Sequence, residues 1–504
     1  MLSFSKAHKS LFNAHIRYLS NVPHQVVKNR DYTVSSNISQ VPDVSKYFPA
    51  TPISELAPYI SDAWSAYPKG SKYVNQHHYY QNKKVLVERY LQKKPHAVSL
   101  KQLAQYYDDS KQLTLEKVLK SGQFAKDELV VRMAHTLKKV QDLPFNVVNN
   151  FHFVQVYESY YDIFERCRKL PQIRTLEDNK QLTDMLNAIM SDFNSLNLPH
   201  LIMAALECCI LDLYPQKELD KLISSLLRAR ISRRLIAQEH LSATSNFLAG
   251  KKDINLIFGD IIQLCSAKEY LLEASKICEA FTKDMFYDGI PLPEFIIDGA
   301  VDLKFYFLPT HLEYLLGECL RNSYEATVKE YIRKGLSKPE PIVVTIIENK
   351  HSFLFRISDR AGGIPHDDRT IWSFGKSKEL ARQSLANFHK LSGLQTISLY
   401  DDRSHYGTLS SDHPHSKPTR TSMLLSELHP KKEKYKFQFK RPLIGLLSRA
   451  SRYKLGVGLA MCKVYAEYWN GDLTVHSVQG YGTDTVLKLG SLLHYSDKLQ
   501  LDKV

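Results

Sequence analysis

The chain has 504 residues, 43% of them hydrophobic and 24% charged, with a formal net charge of +14; this is apolar content for ordinary cores and length for about two or three domains. No stretch approaches the roughly 18 to 20 apolar residues of a spanning helix, so no transmembrane segment is predicted. The basic excess is scattered rather than gathered in one stripe, which argues against a nucleic-acid partner, and seven cysteines without a C-x-x-C pair argue against zinc and for a reduced compartment.

Residues 1–30 carry Lys6, Lys9, Arg17, Lys28 and Arg30, with no acid before Asp31. Set on a helix, Leu2, Phe4, Leu11 and Ile16 alternate with the cations, the composition of a mitochondrial presequence. Arg17-Tyr18-Leu19-Ser20 is similar to a matrix-protease cleavage site. Residues 31–75, rich in Ser, Pro, Tyr and Val without a sustained period, read as an extended linker. From 76 to 255 the pattern is helical, with apolar spacings of three and four near 85–95, 127–142, 151–167, 176–194, 198–213 and 217–247. Leu129, Val130, Met133, Leu137 and Val140 form one such stripe. Pro144, Pro171, Pro199 and Pro215 are expected at helix boundaries, and long helices with few strand signals predict a bundle.

Strand signals appear after 256. The runs 341–348 and 352–359, joined by Asn349-Lys350-His351, predict a hairpin, and 472–477 with 485–489 predict a second strand pair. Helices are expected at 309–334 and 458–469, so 256–495 reads as an α/β sandwich with one helical layer. The His-, Ser- and Pro-rich stretch 401–420 and the basic run Lys431–Arg441 predict a long disordered insertion near 376–450. Residues 496–504 read as a tail.

Four short pieces carry chemistry. On the helix around 318, at about 100° per residue, Glu318, Asn322 and Glu325 share one stripe, while Leu312, Leu316 and Leu320 occupy another. Magnesium takes oxygen ligands and keeps several waters, which suits Asn322. A carboxylate one turn earlier, Glu318, can accept a proton from a hydroxyl or water. Asp359 closes a strand and precedes Arg-Ala-Gly-Gly-Ile-Pro; its carboxylate can accept the exocyclic amine of adenine, and glycines such as Gly363 let backbone approach the base. Gly456, Val457, Gly458 and Leu459 open a helix whose first amides attract phosphate. Thr483, in a final glycine turn, can add a hydroxyl near the base. Each piece alone is equally a solvated helix face or an ordinary turn; in this order they look like the parts of an ATP and Mg2+ site.

Together the pieces resemble the N, G1 and G2 boxes and closing strand of the gyrase-type ATPase and histidine-kinase superfamily. Gly456 to Leu459 through Tyr465-Ala466-Glu467-Tyr468, then Gly471-Asp472-Leu473 and Gly482-Thr483-Asp484, are similar to the mitochondrial 2-oxo acid dehydrogenase kinases, with the fungal pyruvate dehydrogenase kinases as the nearest branch. His311-Leu312-Glu313-Tyr314, Val98 to Leu103, Glu128 to Ala134 and Arg230 to Leu235 agree with that family. The resemblance implies an α + α/β architecture, with an N-terminal four-helix bundle followed by an ATPase/histidine-kinase-like nucleotide domain. It further implies a homodimer, or a heterodimer with a related kinase, in the mitochondrial matrix. Such kinases phosphorylate a serine of the E1 alpha subunit of the pyruvate dehydrogenase complex and inactivate it, docking on a lipoyl domain of the E2 core. By motif, the resemblance implies Glu318 as the general base, Asn322 as the Mg2+ ligand, Asp359 and Thr483 as the adenine contacts, and Gly456 and Gly458 as the phosphate loop.

This sequence departs from the family pattern in several places. Ala361 stands at the first glycine of Asp-x-Gly-x-Gly, and Arg321 stands where lysine is common. Tyr314 occupies a position where pyruvate dehydrogenase kinases often carry histidine and the branched-chain kinase carries tyrosine. The segment Ser491–Val504 has no tryptophan. The departures leave open a kinase for branched-chain 2-oxo acid dehydrogenase, or a non-catalytic ATP-binding regulatory subunit. A histidine-kinase reading rests on His240, which lacks the following acid and proline.

Overall fold

Three of the first helices start on side-chain caps in the computed structural model, which describes residues 86–103, 113–148, 150–190, 194–251, 259–286, 290–364, 370–388, 454–495 and 500–501. The expected presequence and linker lie outside these residues, as does most of the expected insertion. Helix α1, Leu115–Gln141, is capped by Thr114, whose hydroxyl accepts the Lys117 amide at 3.3 Å. Asn150 caps α2, Phe151–Lys169, in the same way, and Thr175 with Asp178 forms a reciprocal capping box on α3, Leu176–Ala188. Helices α4, Asn194–Leu211, and α5, Gln216–Leu248, complete the helical half. α1 packs on α2 and α5, and α4 on α2 and α5. The helix expected near 85–95 is reduced to one turn, Leu86–Tyr90.

Pro215 sits at the N-cap of α5, as expected, but Pro199 lies inside α4. Its ring removes one backbone hydrogen bond and costs about 3 kcal/mol. Leu201, Ile202, Met203, Ala204, Ala205 and Leu206 are all fully buried, and each large side chain returns about 1.5–3 kcal/mol on burial. Packing therefore carries the helix through its proline.

Among the described residues, five strands make one sheet in the order β3-β5-β6-β8-β7. These are β3 Phe295–Gly299, β5 Ile342–Asn349, β6 Ser352–Asp359, β7 Asp472–Val478 and β8 Gly482–Gly490. Only the β3–β5 contact in that sheet is parallel. Asn349 pairs with Ser352 across a two-residue turn, so the expected hairpin forms. Beside the sheet, β2 Gln263–Ser266 pairs with β4 Lys304–Phe307, and β1 Val98–Ser99 pairs with β9 Gln500–Leu501 near the C-terminus.

Helix α6, Ala267–Phe286, packs on α7, Pro309–Lys334. α7 and α9, Gly458–Tyr468, lie on the sheet. Leu312, Leu316 and Leu320 of α7 are fully buried there, with Phe355 and Ile357 of β6 and Leu487 and Leu489 of β8. The stretch expected as unstructured from 376 begins instead with α8, Lys378–Phe388, which buries Ala381, Leu385 and Phe388 and packs on α4. The remainder of that stretch lies outside the described residues. α5 reaches the sheet half through Ser232, whose hydroxyl is 2.9 Å from that of Tyr468, and through an Arg228–Glu467 ion pair. Mixed helix and sheet thus make an α + β fold, and every described residue belongs to one compact unit.

Candidate nucleotide site

Asp359 ends β6, and Thr483 stands directly opposite it on β8. Strand register brings together two residues that lie far apart in the chain. Asp359 Oδ2 accepts the Ser323 hydroxyl at 3.0 Å, and Oδ1 accepts the Ala361 amide at 3.1 Å. Burial raises the Asp359 carboxyl above its usual range, and donors from Ala361, Ser323 and the Thr483 amide offset only part of that. Thr483 Oγ1 is 3.2 Å from Ser477 Oγ, which also accepts the Ile364 amide at 2.6 Å. Ser323 and Ser477 therefore orient the two expected base contacts. Neither serine stands out in the sequence as a site residue, although Ser323 directly follows Asn322 and Ser477 faces Thr483 across the β7–β8 pair.

The glycines after Asp359 meet a backbone demand. Gly362 and Gly363 have φ of 80° and 74°, and a Cβ on Gly363 would lie 2.4 Å from the Val478 carbonyl oxygen. The Gly362 amide donates to the Tyr481 carbonyl at 3.2 Å, and its carbonyl accepts the Gly480 amide at 2.8 Å. The loop after β6 is thereby strapped to the β7–β8 turn. Among the described residues, only Asp212 and Asn470 have positive φ without being glycine. Ala361 thus holds an ordinary conformation, and its methyl group demands nothing unusual of the backbone.

On α7 the expected polar stripe is divided by burial. Glu318 is 1% exposed, whereas Asn322, one turn later, is open to solvent. An exposed amide oxygen on this face fits an ion that takes few protein ligands and keeps its waters. Tyr314, one turn before Glu318, is buried with its hydroxyl 3.6 Å from Met461 Sδ, so it packs α7 on α9. His311 accepts the Trp469 indole N–H at 2.9 Å on the same interface, and burial holds its imidazole well below the usual range. Arg321 turns toward α6, with its guanidinium 5.5 Å from the Phe281 ring centroid.

The glycine loop leads into α9. Gly456 has φ of 70°, Val457 is buried at the N-cap of α9, and Gly458 and Leu459 begin the helix. Amides in this first turn have no acceptor within the helix. A Cβ on Gly456 would lie 3.1 Å from Ser384 Oγ of α8 and 3.7 Å from Lys376 Cε. Lys454, just before the loop, pairs with Glu325 of α7 at 2.9 Å. The Asp359 carboxylate and the glycine loop are thus both tied to the α7 turn that carries the open Asn322 amide, through Ser323 and Glu325.

Residues 97–261 match the family model described as mitochondrial branched-chain alpha-ketoacid dehydrogenase kinase. Over nearly its full length the chain is 58% identical, across 486 residues, to pyruvate dehydrogenase (acetyl-transferring) kinase 2, mitochondrial, of Saccharomyces cerevisiae, covering 95% of this chain and 98% of that one. The chain belongs to the mitochondrial 2-oxo acid dehydrogenase kinase family. More distant relatives include the human pyruvate dehydrogenase kinase isozyme 4, 24% identical over 81% of this chain and 84% of that one. The Arabidopsis thaliana pyruvate dehydrogenase kinase is 22% identical over 75% of this chain and 87% of its own length.

Within this family member, His240 is poorly placed to receive a phosphoryl group. It is 1% exposed, its Nδ1 is 3.2 Å from the Ser121 hydroxyl, and burial pushes its imidazole down to about 4. No helix among the described residues is long and apolar enough to cross a membrane.

Proposed function

We propose that the chain is a mitochondrial protein serine kinase that transfers the γ-phosphoryl group of ATP to the E1 alpha subunit of the pyruvate dehydrogenase complex and so inactivates it. The observation that carries the reading is the nearly full-length likeness to the yeast kinase; the register pairing of Asp359 with Thr483 supports it at the site. ATP supplies the phosphoryl group, and Mg2+ spreads the charge on its oxygens. Asp359, oriented by Ser323, accepts the adenine amine, and Thr483 adds a hydroxyl beside it. Gly363 leaves room for the base. Asn322 ligates the metal, and the amides of Gly456, Val457, Gly458 and Leu459 hold phosphate oxygens. Glu318, shielded from bulk water, accepts the proton of the substrate serine as its oxygen attacks.

On this reading α1, α2, α4 and α5 form a four-helix-bundle regulatory domain over 76–255, and 256–495 forms the nucleotide domain. Residues 1–30 direct the chain to the matrix, where it works as a homodimer, or a heterodimer with a related kinase, docked on a lipoyl domain of the E2 core. Branched-chain 2-oxo acid dehydrogenase is the second reading, favoured by the family model matched over 97–261 and by Tyr314. Labelled ATP offered with each purified E1 alpha protein separates them. Transfer to the pyruvate dehydrogenase protein by wild type, lost in Glu318→Gln, is expected. Preferential transfer to the branched-chain protein would refute the first reading, and no transfer to either would favour a non-catalytic subunit.

A further inference from the structure

Lys454 and Glu325 form a charge device that the roles above do not use. The Glu325 carboxylate, 8% exposed, is shared by two ammonium groups: Lys329, one turn on along α7, and Lys454, 2.9 Å away on the glycine loop. One carboxylate facing two cations leaves the cluster with an excess positive charge. It sits at the phosphate end of the site. Glu325 lies three residues beyond Asn322, about 4.5 Å along the helix axis, and Lys454 lies two residues before Gly456.

We propose that Lys454 is a phosphate-binding residue held in reserve by Glu325, whose carboxylate occupies the ammonium until the nucleotide triphosphate takes it over. The inference rests on the ATP site proposed above. Three features suit Lys454 to this exchange. Its backbone is fixed, because the Asn387 side-chain amide donates to its carbonyl at 2.8 Å. Its side chain is free to swing, being 59% exposed. It stays cationic: burial lowers the ammonium, but Glu325, together with a hydrogen bond to Lys329, offsets that and raises it above the usual range. Glu325 is likewise held charged, since Lys329 and Lys454 outweigh the effect of burial and bring its carboxyl below the usual range. A triphosphate carries several negative charges against one on Glu325, so it competes successfully for the shared cation. Lys329 remains to neutralise the carboxylate left behind. Gly456, whose φ of 70° favours glycine, turns the chain between Lys454 and the first amides of α9.

An ion pair that merely pins the loop would behave differently. Removing either partner would then loosen the same contact, and both variants would weaken nucleotide binding. Competition predicts opposite signs. Equilibrium binding of ATP and of AMP to the purified full chain, wild type and variants, decides between them, with thermal melts as a folding control. Lys454→Met is expected to weaken ATP about tenfold, or about 1.4 kcal/mol, leave AMP unchanged, and be largely rescued in Lys454→Arg. Glu325→Gln is expected to tighten ATP about threefold, again without effect on AMP. ATP binding unchanged in Lys454→Met, or weakened in Glu325→Gln as much as in Lys454→Met, would overturn the proposal. Wild type that binds no ATP would overturn the nucleotide site and this role together.

Discussion

Asp220→Ala should loosen the nucleotide side of the molecule from a residue that belongs to the helical half. Asp220 lies in the second turn of α5, and its carboxylate takes three hydrogen bonds from one short segment. Oδ1 accepts the amides of Phe374 and Gly375 at 2.7 and 3.0 Å, and Oδ2 accepts the Ser373 hydroxyl at 2.6 Å. Gln216, one turn earlier, donates to Ser373 Oγ and the Gly375 carbonyl, both at 3.0 Å. This clamp fixes the segment leading into α8, and through Lys376 and Ser384 it backs Gly456. Hydrogen bonds to a charged acceptor contribute about 1.5–3 kcal/mol each. They share one group and are not additive, so their joint loss is worth roughly 3–5 kcal/mol of local stability. If about a third of that reaches the glycine loop, KM for ATP rises about tenfold, equivalent to about 1.4 kcal/mol. Hydrogen-exchange mass spectrometry should show faster exchange across 370–388, with peptides from β5 and β6 unchanged. Unaltered exchange there would refute the clamp; faster exchange with an unaltered KM would refute its coupling to nucleotide.

Three further outcomes follow from particular atoms. Gly363→Ala should lower the melting temperature and weaken ATP binding, because φ of 74° costs an alanine about 1–2 kcal/mol and its Cβ would meet the Val478 carbonyl at 2.4 Å; wild-type affinity would show that the strap is not needed. Ala361→Gly should leave ATP affinity unimproved and cost about 0.4–1 kcal/mol through the unfolded state, as read by denaturant titration; tighter binding would show that Ala361 impairs the site. Glu207, buried on α4, has its carboxyl pushed up to about 8 by desolvation from a free value of 4.5. Its neutral form stabilises the fold fully below 4.5, and that stability is lost as the pH rises through about 8. Ionisation at pH 8 costs roughly 4 kcal/mol. Glu207→Gln should therefore melt higher than wild type at pH 8, with the gap closing toward pH 5; an equal gap at both would rule out ionisation as its origin.

What the sequence disclosed, and what it hid, divides by the range of the interactions involved. The bounds of α7 and the β5–β6 hairpin were legible because caps, glycines and apolar spacing act within a few residues. α8 was hidden by its low-complexity surroundings, though Ala381, Leu385 and Phe388 already form its buried stripe. Pro199 misled because a local rule was opposed by burial along all of α4, which no local window contains. Asp359 and Thr483 were legible as separate pieces, but Ser323, Ser477, Asp220 and Lys454 gain meaning only from partners that strand register or helix packing delivers. Ala361 shows how to weigh such departures. In Asp-x-Gly-x-Gly the letters stand for backbone torsions, and a missing glycine matters only where φ is positive. Here the positive values fall at 362 and 363, where glycine is retained, and not at 361. The substitution that most weakened the family assignment on motif grounds therefore has no backbone conflict behind it, and the case for a non-catalytic subunit loses its main structural support.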